Sequence, residues 1–135
     1  MTRPLPDTCP CDMNRIYADC CGRWHTGSPA PDAESLMRSR YGAYVLGLAH
    51  YLMATRHPST RPTQAELGLA SNNHTTWLEL KIKDRLVTGS DSAEIEFIAR
   101  YREGGGGARR LHERSRFVRA HGQWYYVDGD IDPSA

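Results

Sequence analysis

The stretch AEIEFIARYR, residues 93–102, decides the fold. Ile95, Phe97, Ala99 and Tyr101 fall on one side of it. A period of two sends alternate side chains to opposite faces, so the stretch reads as a strand with one buried face. Upstream, Thr88-Gly89-Ser90-Asp91 is a turn, and Thr75 to Val87 reads as a strand carrying Trp77, Leu78, Leu80, Ile82, Leu86 and Val87. Downstream, Gly104 to Gly107 is a loop and residues 109–119 form a third strand. His121-Gly122 is a tight hairpin turn, and Gln123 to Val127 is the last strand. Four strands in succession predict an antiparallel meander.

Residues 32–72 read as helical. Asp32 after Pro31 is an N-cap, with Glu34 in the first turn. Met37, Tyr41, Tyr44, Val45, Leu48 and Leu52 share one face, so a single long helix is expected to run to about Arg56, before Pro58. Thr63 and Glu66 form a capping-box pattern for a second, shorter helix ending at Asn72-Asn73. One long helix, one short helix and a meander make an α+β domain over residues 32–135. The sheet is expected to bend around the long helix and enclose a concave space.

Composition narrows the function less than the fold. The 135 residues carry a net charge of +1, which by itself argues for neither nucleic acid nor membrane. Lys81 and Lys83 are the only lysines; every other basic residue is an arginine. No stretch approaches the roughly 20 apolar residues of a spanning helix. The start, MTRPLPDTCPC, has no apolar core of a secretory signal. A cytoplasmic setting is therefore expected, where thiols stay reduced and clustered cysteines hold metal rather than pair.

Residues 1–31 hold all four cysteines and lack periodicity, and a stretch this short needs a staple to fold. Cys9 and Cys11 are one residue apart, and Cys20-Cys21 return after eight more. Four thiolates in a tetrahedron are the ligand set of a structural zinc, closed to water and so not catalytic. Asp12 and Asn14 suit the first turn, and Arg15 and Arg23 are near enough in sequence to offset the net −2 of such a site. Disulfides, free thiols, another metal, or His25 in place of one thiolate are the alternatives. Adjacent Cys20 and Cys21 can hardly bond each other without strain.

CPCDMNRIYADCCG resembles the SEC-C motif, on Cys9-Pro10-Cys11, Tyr17 and Cys20-Cys21-Gly22. Asp12-Met13-Asn14 stands where the usual motif has Gly-Ser-Gly. LMRSRYGAYVLG (36–47), HPSTRP (57–62), FIARYREGG (97–105), HERSRF (112–117) and WYYVDG (124–129) resemble the YchJ-like family of bacterial proteins. That resemblance implies a SEC-C zinc knuckle joined to a nuclear transport factor 2-like (NTF2-like) cone of helices against a curved sheet. It implies no particular activity. SEC-C modules elsewhere contact protein partners, which implies a docking role.

An NTF2-like cone encloses a pocket, and convergent polar groups in such a pocket are the default site. The candidates are Arg40, Tyr41, Tyr44, His57, Trp77, Glu113, Ser115, Trp124, Tyr126 and Asp128; the alternative is that these are core residues satisfied internally. Alternation puts Glu113 and Ser115 on one face of their strand, and Arg114 and Arg116 on the other. Arg100, Arg102, Arg109, Arg114 and Arg116 form either a positive stripe for phosphate, RNA or an acidic partner, or a solvated face of cross-strand ion pairs. Gly104 to Gly107 lacks the Lys-Ser/Thr of a phosphate loop. The expected function is a zinc-binding accessory protein that docks a protein partner and has no catalytic residues. The alternative is a small-molecule binder, or a hydratase- or isomerase-type enzyme, using the conical pocket.

Overall fold

The computed structural model describes residues 8–11, 15–61 and 75–131. The helix expected from Thr63 and Glu66, and the turn through Asp12 and Asn14, lie outside the described residues.

The meander is as the alternation requires. β1 (Thr75–Gly89), β2 (Ser92–Glu103), β3 (Arg109–Ala120) and β4 (Gln123–Ile131) lie side by side in chain order, each antiparallel to the next. Ala93, Ile95, Phe97 and Ala99 of β2 are buried on the inner face, joined by Leu80, Ser115 and Phe117. His121 (φ 53°) and Gly122 (φ 77°) both take the left-handed conformation. Two such residues make the mirror-image turn whose twist matches a two-residue hairpin. β1 shifts register between Trp77 and Glu79, between Ile82 and Asp84, and between Val87 and Gly89. Each irregularity bends the strand and tightens its twist, curling this side of the sheet.

The expected long helix is broken in two. α2 (Ala33–Leu46) follows a short α1 (Cys21–His25), and α3 (Ala49–Ala54) is a separate turn and a half. Gly47 at φ 73° is the cause: it ends α2 in the left-handed conformation that glycine adopts without a Cβ clash. At the other end the Asp32 side chain accepts the Ser35 N–H at 2.7 Å, the N-cap expected of it.

α2 lies across the concave face. Ala33, Leu36, Met37 and Tyr41 pack on Leu80, Ile95, Phe97, Ala99 and Phe117 to form the main core. The chain after α3 then covers the outer edge of β4. Tyr126 N donates to Thr55 O (2.9 Å), His57 N to Tyr126 O (2.8 Å) and Thr60 Oγ1 to Val127 O (2.6 Å). A free strand edge is thereby closed, and Arg56 is set over the Tyr126 ring.

The far face of the sheet is an ion-pair lattice. Arg114 reaches Glu94 (2.6 Å), Glu96 (3.2 Å) and Asp84 (3.2 Å) across three strands. Arg116 meets Asp128 (2.5 Å) and Asp130 (2.8 Å), and Arg100 meets Glu79 (3.5 Å). Arg119, on the inner side over the Trp124 ring, meets Asp91 of the β1–β2 turn (2.9 Å). Arg102 and Arg109 form no ion pair among the described residues. Three members of the expected stripe thus have their charge answered by carboxylates. Among the described residues, no helix is long and apolar enough to cross a membrane.

Candidate functional site

The N-terminal segment turns on itself through one bridge, Thr8 to Ile16, with Cys9 N donating to Arg15 O at 2.8 Å. A single 3-10 turn, Tyr17–Asp19, leads into α1. This path brings Cys9, Cys11, Cys20 and Cys21 together, all buried and none in a disulfide. Their sulfurs all lie within 4.8 Å of one another, with Cys9–Cys11 at 3.5 Å and Cys11–Cys20 at 3.6 Å. A tetrahedron of sulfurs about 2.3 Å from a central ion has edges of about 3.8 Å. The four residues therefore fit a metal. Sulfurs this close also compete for protons. Contacts with Cys11 and Cys21 pull the Cys9 thiol far down, while contacts with Cys11 and Cys9, then burial, hold Cys21 far above its ordinary value. A divalent cation relieves that competition by stabilising every thiolate at once.

The knuckle is tied to α2 by polar contacts. His25 Nε2 lies 2.8 Å from Ser39 O, and its Nδ1 lies 2.6 Å from Tyr17 Oη. A carbonyl only accepts, so Nε2 carries the proton and Nδ1 accepts from the tyrosine. Burial, the main cause, lowers the His25 pKa and favours this neutral form. Both ring nitrogens are engaged, so His25 braces the knuckle rather than replacing a thiolate. Arg38 Nη1 donates to Cys11 O at 2.8 Å, and Arg23 Nε to Cys20 O at 3.1 Å. Arg23 was expected near the sulfurs; Arg38, 27 positions from Cys11, gave no local signal. Gly22 is required by close approach, since a Cβ there would lie 2.7 Å from Tyr17 O.

Beneath the sheet, α2 and the inner faces of β1 to β4 enclose a cavity of about 220 Å³. Arg40, Tyr41, Tyr44, Trp77, Glu113, Ser115 and Tyr126 all line it. Glu113 Oε2 accepts from Ser115 Oγ (2.6 Å) and Tyr126 Oη (3.0 Å). Burial first, and then the Glu113 charge, push the Tyr126 pKa up, so its hydroxyl stays a donor. Arg40 is only 6 % exposed. It donates from Nη1 to Leu52 O (2.8 Å) and Thr55 Oγ1 (2.7 Å), and its guanidinium sits 4.8 Å from the centre of the Tyr126 ring.

The comparisons with known proteins agree with this architecture. Residues 32–129 match the family described as YchJ, middle NTF2-like domain. This chain belongs to the YchJ-like family. A UPF0225 protein of Xanthomonas campestris pv. campestris (strain 8004) is 56 % identical over 122 residues, covering 90 % of this chain and 93 % of that one. A UPF0225 protein of Bordetella parapertussis is 53 % identical over 129 residues, covering 93 % and 94 %. Among solved structures, a SEC-C motif containing protein from Rhodopseudomonas palustris superposes with a TM-score of 0.82 at 35 % identity, covering 93 % of this chain and 98 % of that one. Another, from Psychrobacter arcticus, gives 0.78 at 28 % identity, covering 95 % and 84 %.

Three pocket candidates of this YchJ-like chain lie elsewhere. Asp128 faces the outer lattice because the register slips between Phe117↔Tyr126 and Arg116↔Asp128. The extra residue, Val127, reverses the alternation, so Tyr126 points in and Asp128 out. Trp124 stays on the inner side but lines a separate cleft with Ala93 and Ile95. His57 fixes its own turn, its Nδ1 lying 2.7 Å from Ser59 Oγ and accepting Ser59 N–H at 3.1 Å. Arg56 lines the cavity in its place. The pairing of this segment with β4 puts it there, and only the Pro58 break hinted at an extended stretch.

Proposed function

We propose that this protein is a zinc-binding accessory protein whose knuckle docks a protein partner. The observation carrying this reading is the buried four-sulfur cluster. Four thiolates complete a tetrahedral shell, so zinc there would order the knuckle and leave no coordination position for a substrate. Cys9, Cys11, Cys20 and Cys21 would hold it, and a reducing, cytoplasmic setting keeps them as thiols. Residues 1–31 then form the zinc segment and 32–135 the NTF2-like domain. The partner-facing surface would include Ile16, an apolar side chain 63 % exposed on the turn between the cysteine pairs. The solved neighbours described as SEC-C motif proteins favour the same reading.

Pull-downs with wild type, Ile16→Asp and Cys20→Ser test it. Ile16→Asp leaves every sulfur in place, and Cys20→Ser removes one. A partner retained by wild type and lost by both variants is expected. Identical partner lists for all three would sink the docking role.

A second reading, a small-molecule binder in the conical cavity, is favoured by Arg40. A guanidinium this buried without a carboxylate partner among the described residues is costly unless something answers its charge.

A further inference from the structure

The arginines that carry ion pairs lie outside the cavity, and the two that line it carry none among the described residues. Arg38, Arg85, Arg100, Arg114, Arg116 and Arg119 each reach a carboxylate. Arg40 and Arg56, which line the cavity, form no ion pair among the described residues. Both guanidiniums lie over one ring, 4.8 Å and 5.1 Å from the centre of Tyr126. Two like charges on the same ring repel, and an anion between them removes that repulsion.

Arg40 is built to receive such an anion. Its Nη1 protons go to Leu52 O and Thr55 Oγ1, and Thr55 Oγ1 spends its own proton on Tyr51 O at 2.7 Å. Nε and Nη2 donate to nothing among the described residues. Neither is sealed away, since Trp124 Nε1 is the one partnerless side-chain nitrogen or oxygen wholly cut off from solvent among those residues. Arg40 lines the cavity, so these two unspent donors are the ones it can offer a ligand there. Nε–H and Nη2–H are the parallel pair of donors that match the two oxygens of a carboxylate.

The remaining wall sets the rest of the ligand. Glu113 is the carboxylate among the lining residues, and its Oε2 is taken by Ser115 and Tyr126. Two arginines and one glutamate give the cavity a net charge of +1, which suits a monoanion and disfavours a dianion. Trp77, Tyr41, Tyr44 and Phe97 supply flat apolar surface. A cavity of about 150 Å³ accepts benzene, so about 220 Å³ holds a ring of that size with one carboxylate.

We propose that the cavity binds a small organic monoanion with a flat apolar body, its carboxylate held by the fork of Arg40 and by Arg56. This rests on the second reading above, that the cavity takes a small molecule.

The test is amide chemical-shift mapping of the full chain with four probes: benzoate, benzamide, benzylamine and terephthalate. Benzoate is expected to shift amides of α2, β3 and β4 around the cavity and to saturate. Benzamide and terephthalate should bind at least about ten-fold more weakly, and benzylamine weakest. Arg56→Gln should weaken benzoate about ten-fold or more and leave benzamide nearly unchanged, bringing the two together. Arg40→Gln should do the same. If it disturbs the fold, which the same spectra would show, Arg56→Gln still decides. Equal binding of benzoate and benzamide, or tighter binding of benzylamine, would overturn the anion assignment while leaving the cavity a ligand site. A benzoate footprint on the outer lattice, indifferent to Arg56→Gln, would overturn it too. No cavity shift with any probe at millimolar concentration would remove the small-molecule reading itself.

Discussion

The knuckle and the sheet both rest on α2, and they are held by different physics. The sheet side closes over Phe117, Phe97, Ile95 and Leu80, with Leu36, Met37 and Tyr41 from the helix. Burying side chains of this size is worth about 1.5–3 kcal/mol each. The knuckle side has Tyr17, the four cysteines, and partial cover from Trp24 and Leu46. That is too little apolar surface to order a segment this short. One region is stabilised by area; the other brings four sulfurs to one point, where the proposed metal would hold it. The lesson is that their failures should be separable, although Trp24 touches both clusters.

The sharpest way to break this contrast is to remove a sulfur. Cys11→Ser is expected to lose most of the metal-binding free energy, which for structural zinc is about 10–16 kcal/mol. Chelation of the wild-type protein should do the same. Hydrogen exchange should then show residues 15–30 opening while strand amides from 92 to 120 stay protected. If the strands lost protection together with the knuckle, the two regions would be one cooperative unit.

Phe117→Ala tests the opposite side. It should cost about 3–5 kcal/mol in denaturant unfolding, as a large ring lost from a closed core does, with metal content unchanged. Release of metal by this variant would contradict the separation.

Gly22→Ala is expected to cost about 1–3 kcal/mol. The new methyl meets a backbone oxygen, Tyr17 O, rather than a yielding side chain. Its effect should appear as faster metal release to a chelator, with the sheet's own unfolding midpoint little changed.

The smallest effect concerns the seam. Burial holds the His25 pKa below its ordinary 6.5. The unfolded chain therefore binds the proton more readily than the folded one. Stability from this group is complete above pH 6.5 and declines as the pH falls below it. Melting curves from about pH 7.5 to 5.5 should show this slope, and His25→Asn should flatten it. An unchanged slope in the variant would assign the pH dependence to other groups.

Much of the sheet was legible, because alternation is a local signal. Ile95, Phe97 and Ala99 declare one face and it is buried. His121-Gly122 declared its turn in the same way. The break at Gly47 was written in the sequence but masked by apolar residues that keep helical spacing on both sides of it. The slip beside Val127 left no trace, since a bulge is settled by pairing between strands rather than by either strand alone. That slip separates Asp128 from Tyr126, and with it part of the expected pocket from the observed one. The cysteine cluster was readable because its residues are close in sequence and few in kind. The contact of Arg38 with Cys11 was not, because it depends on how the knuckle lies along α2.

Native mass spectrometry of reduced, freshly purified protein tests the central claim most directly. One zinc per chain is predicted, lost together with order in residues 15–30 when a single cluster cysteine is changed to serine. A metal-free chain whose knuckle is nevertheless protected from exchange would contradict it.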